Sequence, residues 1–235
     1  MKRLLLKLSG EALGGPSGFG LSVDVLERVC ADIAPLAATR TEIAIVVGGG
    51  NLFRGEHLAG AGMDRVVGDR MGMLATVMNA LALGDFLTRA GVENQVYSSS
   101  EINGMVPVYN RDHALHDLSA GKVVLLSGGT GNPFFTTDTA ACLRGIELGV
   151  DAVLKATNVD GVYDADPKTD PGATRFETIS YDEVLNRQLG VMDLTAIVLC
   201  RDNQMPVVVF DVMEQGALAS IVAGESLGTR VITEA

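Results

Sequence analysis

Two lysines and a threonine-rich turn are the residues whose types and spacing could do chemistry on an anion. Lys7 and Lys155 each interrupt an aliphatic run, and a buried lysine needs an anionic partner. The segment TGNPFFTTD at 130–138 follows the apolar run 123–126 and precedes a helical pattern. A strand, a glycine-rich turn and a helix N-terminus direct backbone N–H groups at an anion. The pattern fits a phosphate site, and it fits an ordinary turn capped by a threonine equally well.

Four glycine-bearing turns follow four apolar runs, and two of them carry these lysines. They lie at 7–11, 48–51, 128–138 and 155–161. In open α/β sheets, ligands bind beyond the carboxyl ends of the strands, where such turns would converge. The three glycines at 48–50 would permit close approach to a ligand, or else a tight strand-to-helix crossing. Arg54 could fork onto a phosphate or lie solvated on the surface.

Each lysine could also pair with a carboxylate for structural reasons alone. Asp138 and Asp193 are the candidate partners. Such pairing is compatible with a catalytic role, since a transferred phosphoryl group would displace part of it.

The sequence has none of the commoner nucleotide or hydrolase motifs. It has no GxxxxGK[ST] loop, no GxGxxG opening a helix after the first apolar run, and no GxSxG elbow. His57, His113 and His116 lie outside the glycine turns, without the spacing of a metal site. The lack of a histidine base suits phosphoryl transfer to an acceptor that is already an anion. A phosphate monoester, with a second pKa near ~6, needs no proton abstraction.

Composition narrows the class of protein. The 235 residues are 47% hydrophobic and 20% charged, with a net charge of −11, which argues against a nucleic-acid or anionic-membrane partner. Cys30, Cys142 and Cys200 lie in apolar contexts, which indicates reduced thiols and a cytoplasmic location. Lys7 and Glu11 interrupt the N-terminal apolar stretch too early for a signal peptide. No uncharged apolar run approaches ~18 residues, so we expect no membrane span.

Alternating strand and helix patterns predict the fold class. Apolar runs predict strands at 4–8, 43–47, 95–97, 123–126, 152–154 and 207–210. Helical patterns cover 23–36, 69–87, 136–148, 181–189, 195–202 and 216–224. This order predicts an α/β protein, a three-layer αβα sandwich with a mostly parallel central sheet. The segment 163–178 reads as a surface excursion carrying a small hairpin, and we expect a single domain over 1–235.

The motifs together resemble the amino acid kinase superfamily from end to end, and within it the bacterial UMP kinases. The general matches are KLSGE at 7–11, GGGN at 48–51 and KATNVDGVY at 155–163. The more specific ones are GNPFFTTD at 131–138, NLFRG at 51–55 and VGDRMGMLAT at 67–76. The resemblance implies an amino acid kinase-like fold and ATP-dependent phosphorylation of UMP to UDP in pyrimidine biosynthesis.

The resemblance also implies a role for each matched residue. Lys7 and Lys155 would bridge the transferring phosphoryl group, Arg54 would meet phosphate oxygens, and Asp138 and Asp193 would orient the lysines or metal-bound water. The residues implied at ATP are Lys7, Ser9, Gly10, Gly50, Arg54, Thr157, Asn158, Tyr163 and Asp166. Those implied at UMP are Gly49, Asp69, Thr130, Gly131, Asn132, Pro133, Phe134, Phe135, Thr136 and Thr137. Asp69 would accept from ribose hydroxyls, and Mg²⁺ would be held through nucleotide phosphates without a protein metal site.

Assembly and regulation are further implications of the resemblance. It implies a homohexamer built from dimers, activated by GTP and inhibited by UTP, with the segment 15–20 in the activating loop. The helix predicted at 69–87 carries Met71, Leu74, Met78 and Leu81 in one stripe, which fits either a subunit interface or a central core helix. Two other functions stay open: a carboxylate kinase of the same superfamily and a non-catalytic nucleotide sensor. Retention of both Lys7 and Lys155 argues against the sensor.

Overall fold

A computed structural model describes residues 1–53, 62–167, 169–170 and 172–234. The strands are β1 Arg3–Leu8, β2 Glu42–Val47, β3 Asn94–Ser98, β4 Val123–Ser127, β5 Ala152–Thr157, β6 Thr178–Ser180, β7 Val207–Asp211 and β8 Thr229–Ile232. The helices are α1 Gly10–Leu13, α2 Val23–Ala38, α3 Arg65–Arg89, α4 Arg111–Ser119, α5 Thr137–Leu148, α6 Tyr181–Asn186, α7 Leu194–Asp202 and α8 Ala217–Ala223. A short 3-10 turn occupies Gly15–Ser17.

These eight strands form one sheet in the order β3-β4-β2-β1-β5-β7-β8-β6. Every pairing is parallel except that of β7 with β8. The six strands predicted from apolar runs are all confirmed, with ends one to three residues longer. Strands β6 and β8 were not predicted from the apolar runs. Both are short strands near the sheet edge, and their alternating polar residues give a weaker signal than a fully buried run.

The two faces of the sheet bury different helices. Leu4, Leu6 and Leu8 of β1 face a core formed with α2, α3 and α8. Leu5 faces the opposite core, formed with α4, α5, α6 and α7. Because side chains alternate along a strand, Lys7 projects toward the same face as Leu5. The predicted three-layer αβα sandwich with a mostly parallel sheet is therefore confirmed.

The predicted helices are present, with shifted ends, and the described residues contain two that were not predicted, α1 and α4. Helix α4 was overlooked because only Ala114 and Leu118 are apolar and buried in a polar segment that Asn110 caps. After β2 the chain turns at Asn51 and Leu52, and the N–H groups of Leu52 and Phe53 donate to the Gly49 carbonyl. The excursion after β5 pairs with itself as expected, through an antiparallel bridge between residues 163 and 175.

Helix α3 is the longest helix in the described part of the chain. Its length and composition alone would let it cross a membrane, but a core helix passes the same test. One side packs on the sheet through residues such as Ala80, Leu83 and Leu87, all of which are fully buried. The other side exposes an apolar stripe, here called the α3 seam, made of Val67, Met71, Leu74, Met78 and Leu81.

Candidate active site

Two buried lysines share one carboxylate at the carboxyl end of the central strands. Lys7 of β1 and Lys155 of β5 are register partners in adjacent parallel strands. Lys7 Nζ lies 2.6 Å from Asp138 Oδ1, and Lys155 Nζ lies 2.7 Å from Asp138 Oδ2. The three side chains are only 8%, 16% and 13% exposed for Lys7, Lys155 and Asp138, respectively. The structure thus concentrates two positive charges and one negative charge at a single point.

Helix α5 supplies that carboxylate. Thr136 caps the helix, and its hydroxyl accepts from the N–H groups of Asp138 and Thr139. Burial alone would raise the pKa of the Asp138 carboxyl, but the adjacent ammonium groups of Lys7 and Lys155 outweigh it and hold the pKa below its ordinary value. The carboxylate is therefore ionised at neutral pH.

The two lysines differ in their surroundings. Burial lowers the pKa of Lys155, Asp138 opposes that shift, and the neighbouring charge of Lys7 adds to it. Lys155 Nζ also donates to the Val191 carbonyl at 2.5 Å. An ammonium group held by two acceptors is fixed in place before any ligand arrives, which is the geometry required for stabilising developing charge.

A first cleft opens beside the N-terminus of α5. It is lined by Gly49, Gly50, Phe53, Gly68, Asp69, Gly72, Met73, Thr76, Gly129, Thr130, Phe135, Thr136 and Thr137. Six of these residues belong to the set expected at UMP, while Gly50 was expected at ATP. Gly131, Asn132, Pro133 and Phe134 lie in the same turn, outside the lining of the cleft.

A second cleft has Lys155 as part of its lining. It is larger, about 640 Å³ against about 150 Å³ for the first, and Thr157, Tyr163 and Asp166 also line it. These three were expected at ATP. Asn158 is exposed and does not line the cleft. Asp138 directly follows Thr137 of the first cleft, and its ion-pair partner Lys155 lines the second.

The glycines of the first two turns allow backbone to pack on backbone. A Cβ on Gly10 would lie 2.4 Å from the Gly50 nitrogen, and one on Gly49 would lie 2.7 Å from the Gly72 carbonyl oxygen. At Gly50 a Cβ would meet nothing nearer than Glu11 Cγ at 3.6 Å. The tight-crossing interpretation therefore explains Gly10 and Gly49, whereas Gly50 faces the cleft. Ser9 caps α1 through the Ala12 N–H.

A buried amide pair that the sequence analysis missed fixes the second turn. Asn79 of α3 donates to the Gly48 carbonyl at 2.7 Å and to Asn51 Oδ1 at 2.6 Å. Asn51 donates in return to Asn79 and to the Gly20 carbonyl. Both amides are almost fully buried, so their N–H groups must find hydrogen-bond acceptors within the protein. An asparagine among apolar residues on the core face of α3 was the signal available in the sequence.

The resemblance assigns Asp193 to orienting the lysines or metal-bound water, and in the structure this carboxylate contacts hydroxyl groups. It caps α7 through the Ala196 N–H and accepts from Thr136 Oγ1 at 2.5 Å and Thr139 Oγ1 at 2.9 Å. It thus joins the N-termini of α5 and α7. Among the described residues, Asp138 alone forms an ion pair with either lysine.

Helix α3 contributes a wall of the first cleft that sequence reasoning also overlooked. Gly68, Gly72, Met73 and Thr76 follow one another at helical spacing on the face of Asp69. Thr76 Oγ1 also accepts from the Gly128 N–H at 2.7 Å, which fixes the start of the threonine-rich turn. Arg54, expected at the phosphates, lies outside the described residues.

No group of three or more metal-ligating side chains occurs within the described ranges. The one carboxylate at the charge centre is already shared by two lysines. The donor set therefore fits a cation that arrives with phosphate ligands of its own, as Mg²⁺ commonly does, rather than a metal held by the protein alone.

Comparison with known proteins is consistent over nearly the whole chain. The amino acid kinase family model matches residues 2–211. A uridylate kinase of Marinobacter nauticus is 56% identical over 230 residues, covering 98% of this chain and 95% of that protein. One from Pseudomonas paraeruginosa is also 56% identical, with 98% and 94% coverage. The crystal structure of UMP kinase from Bacillus anthracis superposes with a TM-score of 0.96 at 38% identity, covering 100% of this chain and 97% of the other.

Proposed function

Since the chain belongs to the amino acid kinase family, in its uridylate kinase branch, we propose that it transfers the γ-phosphoryl group of ATP to UMP between Lys7 and Lys155. The observation that carries this assignment is the shared Asp138 carboxylate, which places both ammonium groups within 2.7 Å of one side chain. A migrating phosphoryl group carries charge on three equatorial oxygens. The phosphoryl group would replace Asp138 in part of its contacts with the ammonium groups of Lys7 and Lys155.

The clefts support a division of the two nucleotides. UMP binds in the first, with its phosphate at the threonine-rich turn and the N-terminus of α5, and with its ribose at Asp69. ATP binds in the second, larger cleft, with the adenosine toward Thr157, Tyr163 and Asp166. The UMP phosphate is largely ionised at neutral pH, so the acceptor needs no base and the protein acts by positioning and charge.

Mg²⁺ belongs to the proposal as a companion of the ATP phosphates. When bound, it supplies positive charge that neutralises the phosphate oxygens. The residues Lys7 and Lys155 hold the phosphoryl group from the protein side, while Ser9, Gly10 and Gly50 approach the donor phosphates through their backbone. Arg54 is proposed at the phosphates from the sequence alone.

A coupled assay with UMP, ATP and Mg²⁺ tests this function directly. We expect ADP release that depends on UMP and is not supported by a panel of amino-acid carboxylates, since the first cleft presents hydroxyls and Asp69 in place of a cationic pocket. ADP release with a carboxylate but not with UMP would assign the chain to the other acceptor class. No turnover with any acceptor would favour a nucleotide sensor.

The α3 seam supports the proposed assembly of the chain into dimers and then a homohexamer. Its residues Leu74 and Met78 are 57% and 58% exposed. The seam repeats at alternating steps of four and three residues, the spacing by which one helix packs against another. A helix that is apolar both toward the core and toward solvent is stabilised by a second copy covering the outer side.

Leu74→Glu is therefore expected to shift the protein to smaller species. A charge placed in an apolar interface is left without a partner, which we expect to weaken association by about 3 kcal/mol or more. Sedimentation velocity at several concentrations measures the change, and Glu93→Gln at an exposed site serves as the control. An unchanged distribution of species would place the subunit interface elsewhere.

Three further features complete the proposal. One sheet runs through the described residues, which supports a single domain over 1–235. The three cysteines are free and buried, which supports a reducing, cytoplasmic location.

GTP activation and UTP inhibition remain expectations from the family resemblance. The loop 15–20 is joined to the site by the Asn51–Gly20 hydrogen bonds, which would let a ligand there act on the glycine turn.

A further inference from the structure

Asp69, the carboxylate that the proposed function assigns to the ribose, is already bound by two groups of the chain. Arg65 Nε donates to Oδ1 at 2.8 Å and to Oδ2 at 3.0 Å, and the Phe134 N–H donates to Oδ2 at 2.7 Å. The side chain is 17% exposed and lines the first cleft. An ionised carboxylate has about four acceptor positions, so its remaining lone pairs are available to a ligand in that cleft.

Phe134 adopts a backbone conformation that bulky residues rarely adopt. Its φ is 72°, in the left-handed region that favours glycine. The residue is 66% exposed, so burial does not explain its position. Its N–H is directed at Asp69, and the Arg65 guanidinium lies 5.8 Å from the ring centroid. Strained residues of this kind persist where their surroundings fix them, commonly at binding sites.

These contacts join the start of α3 to the tip of the threonine-rich turn. Arg65 and Asp69 are four residues apart on the same helix, an arrangement that brings their side chains together. Phe134 comes from a segment 65 residues further along the chain. Arg65, Asp69 and Phe134 contact one another pairwise, so we call them the Asp69 latch.

We propose that Arg65 and Phe134 are positioning residues that hold the Asp69 carboxylate ready for a ribose hydroxyl, and so set a preference for ribonucleoside over deoxyribonucleoside monophosphates. This inference rests on the proposed function and names a specificity device within it. A carboxylate whose orientation is fixed in advance loses less entropy when it accepts a hydroxyl. A nucleotide without the 2′-hydroxyl gains nothing from that orientation.

The latch makes a prediction that a merely structural contact does not. Loss of a structural contact would lower the melting temperature and affect UMP and dUMP alike. Loss of the latch affects the nucleotide that uses Asp69. In a variant that has lost the latch, we therefore expect KM for UMP to rise while kcat for UMP changes little. KM for dUMP should also change little.

Two variants at Phe134 separate the backbone donor from the ring. Phe134→Gly keeps the N–H and favours positive φ, whereas Phe134→Val also keeps an N–H but disfavours positive φ. Both remove the ring. We expect Phe134→Val to lower the ratio of kcat/KM for UMP over dUMP and Phe134→Gly to retain it within about twofold, because the direction of the N–H decides the effect.

Arg65→Gln tests the other half of the latch. A hydrogen bond to a charged group corresponds to roughly a tenfold effect or more when it is buried. The Arg65 side chain is 55% exposed, so we expect a smaller effect, a fall of about fivefold in the ratio of kcat/KM for UMP over dUMP. Arg65→Lys keeps the charge and should restore part of the ratio. Arg89→Gln is the matched control, since Arg89 lies over the Phe86 ring at 4.6 Å toward the other end of α3.

Steady-state kinetics with UMP and dUMP, titration calorimetry with each nucleotide, and melting curves together decide the question. An unchanged ratio in Arg65→Gln and Phe134→Val, with UMP turnover retained, would overturn the latch and leave the proposed function intact. Equal use of UMP and dUMP by the wild-type protein would also overturn it. A wild-type protein inactive toward UMP would overturn the proposed function and the latch together.

Discussion

Replacing Lys155 with alanine is expected to lower kcat by about 10²-fold or more, the usual cost of removing one preorganised group that stabilises transition-state charge. Lys155 Nζ is fixed by Asp138 and by the Val191 carbonyl before a ligand binds. The ammonium group therefore needs no reorganisation when charge develops on the phosphoryl oxygens. Single-turnover kinetics with saturating UMP and ATP measure the chemical step.

A role of Lys155 in the chemical step, as opposed to substrate binding, would lower kcat without raising KM for UMP. The contacts proposed for UMP lie in the first cleft, which Lys155 does not line, so KM for UMP should change by less than about threefold. Lys122→Ala provides the control, because that lysine pairs with Asp117 away from both clefts. If the Lys155→Ala protein kept its kcat, the assigned phosphoryl site would be wrong.

Asp138→Asn is expected to lower the free energy of unfolding by about 3–5 kcal/mol, because it leaves two buried ammonium groups without their carboxylate. The loss should exceed that of Asp182→Asn, a carboxylate with a 69% exposed side chain that pairs with Arg201, for which we expect about 0.5 kcal/mol or less. Urea unfolding of both variants measures the difference. Similar losses in the two variants would mean that the charge centre contributes no special stability.

Two further measurements test whether unpaired buried charge causes the loss of stability in Asp138→Asn. Adding Lys155→Met to Asp138→Asn removes one unpaired cation, so the double variant should be more stable than Asp138→Asn alone. The pH dependence has a definite sign as well. The folded protein holds the pKa of Asp138 below its ordinary value of 3.8. The extra free energy of unfolding of the wild-type protein over Asp138→Asn should therefore be fully present above about pH 5. It should be lost as the pH falls through the pKa that Asp138 has in the folded protein.

The sequence determined the parts of the fold that follow from uninterrupted patterns. Apolar runs identified six adjacent strands, from β3 to β7 in the sheet order, because a strand buried on both faces has few polar positions to obscure it. Strands β6 and β8, at one side of the sheet, and helix α4 were not predicted because each is a short or polar segment without a continuous apolar run. The lysines at 7 and 155 stood out because a charge in such a run needs an explanation.

Tertiary structure alone decided which side chains meet. Nothing local indicates that Lys7 and Lys155 are register partners, since 148 positions separate them and strand order in the sheet brings them together. The choice of Asp138 over Asp193 as their common partner also depended on the placement of α5 against that face. Residue types and their periodicity are properties of the sequence, but pairing across the sheet is a property of the packed chain. The residue types therefore indicated the chemistry, whereas the site forms only when the order of strands in the sheet brings those residues together.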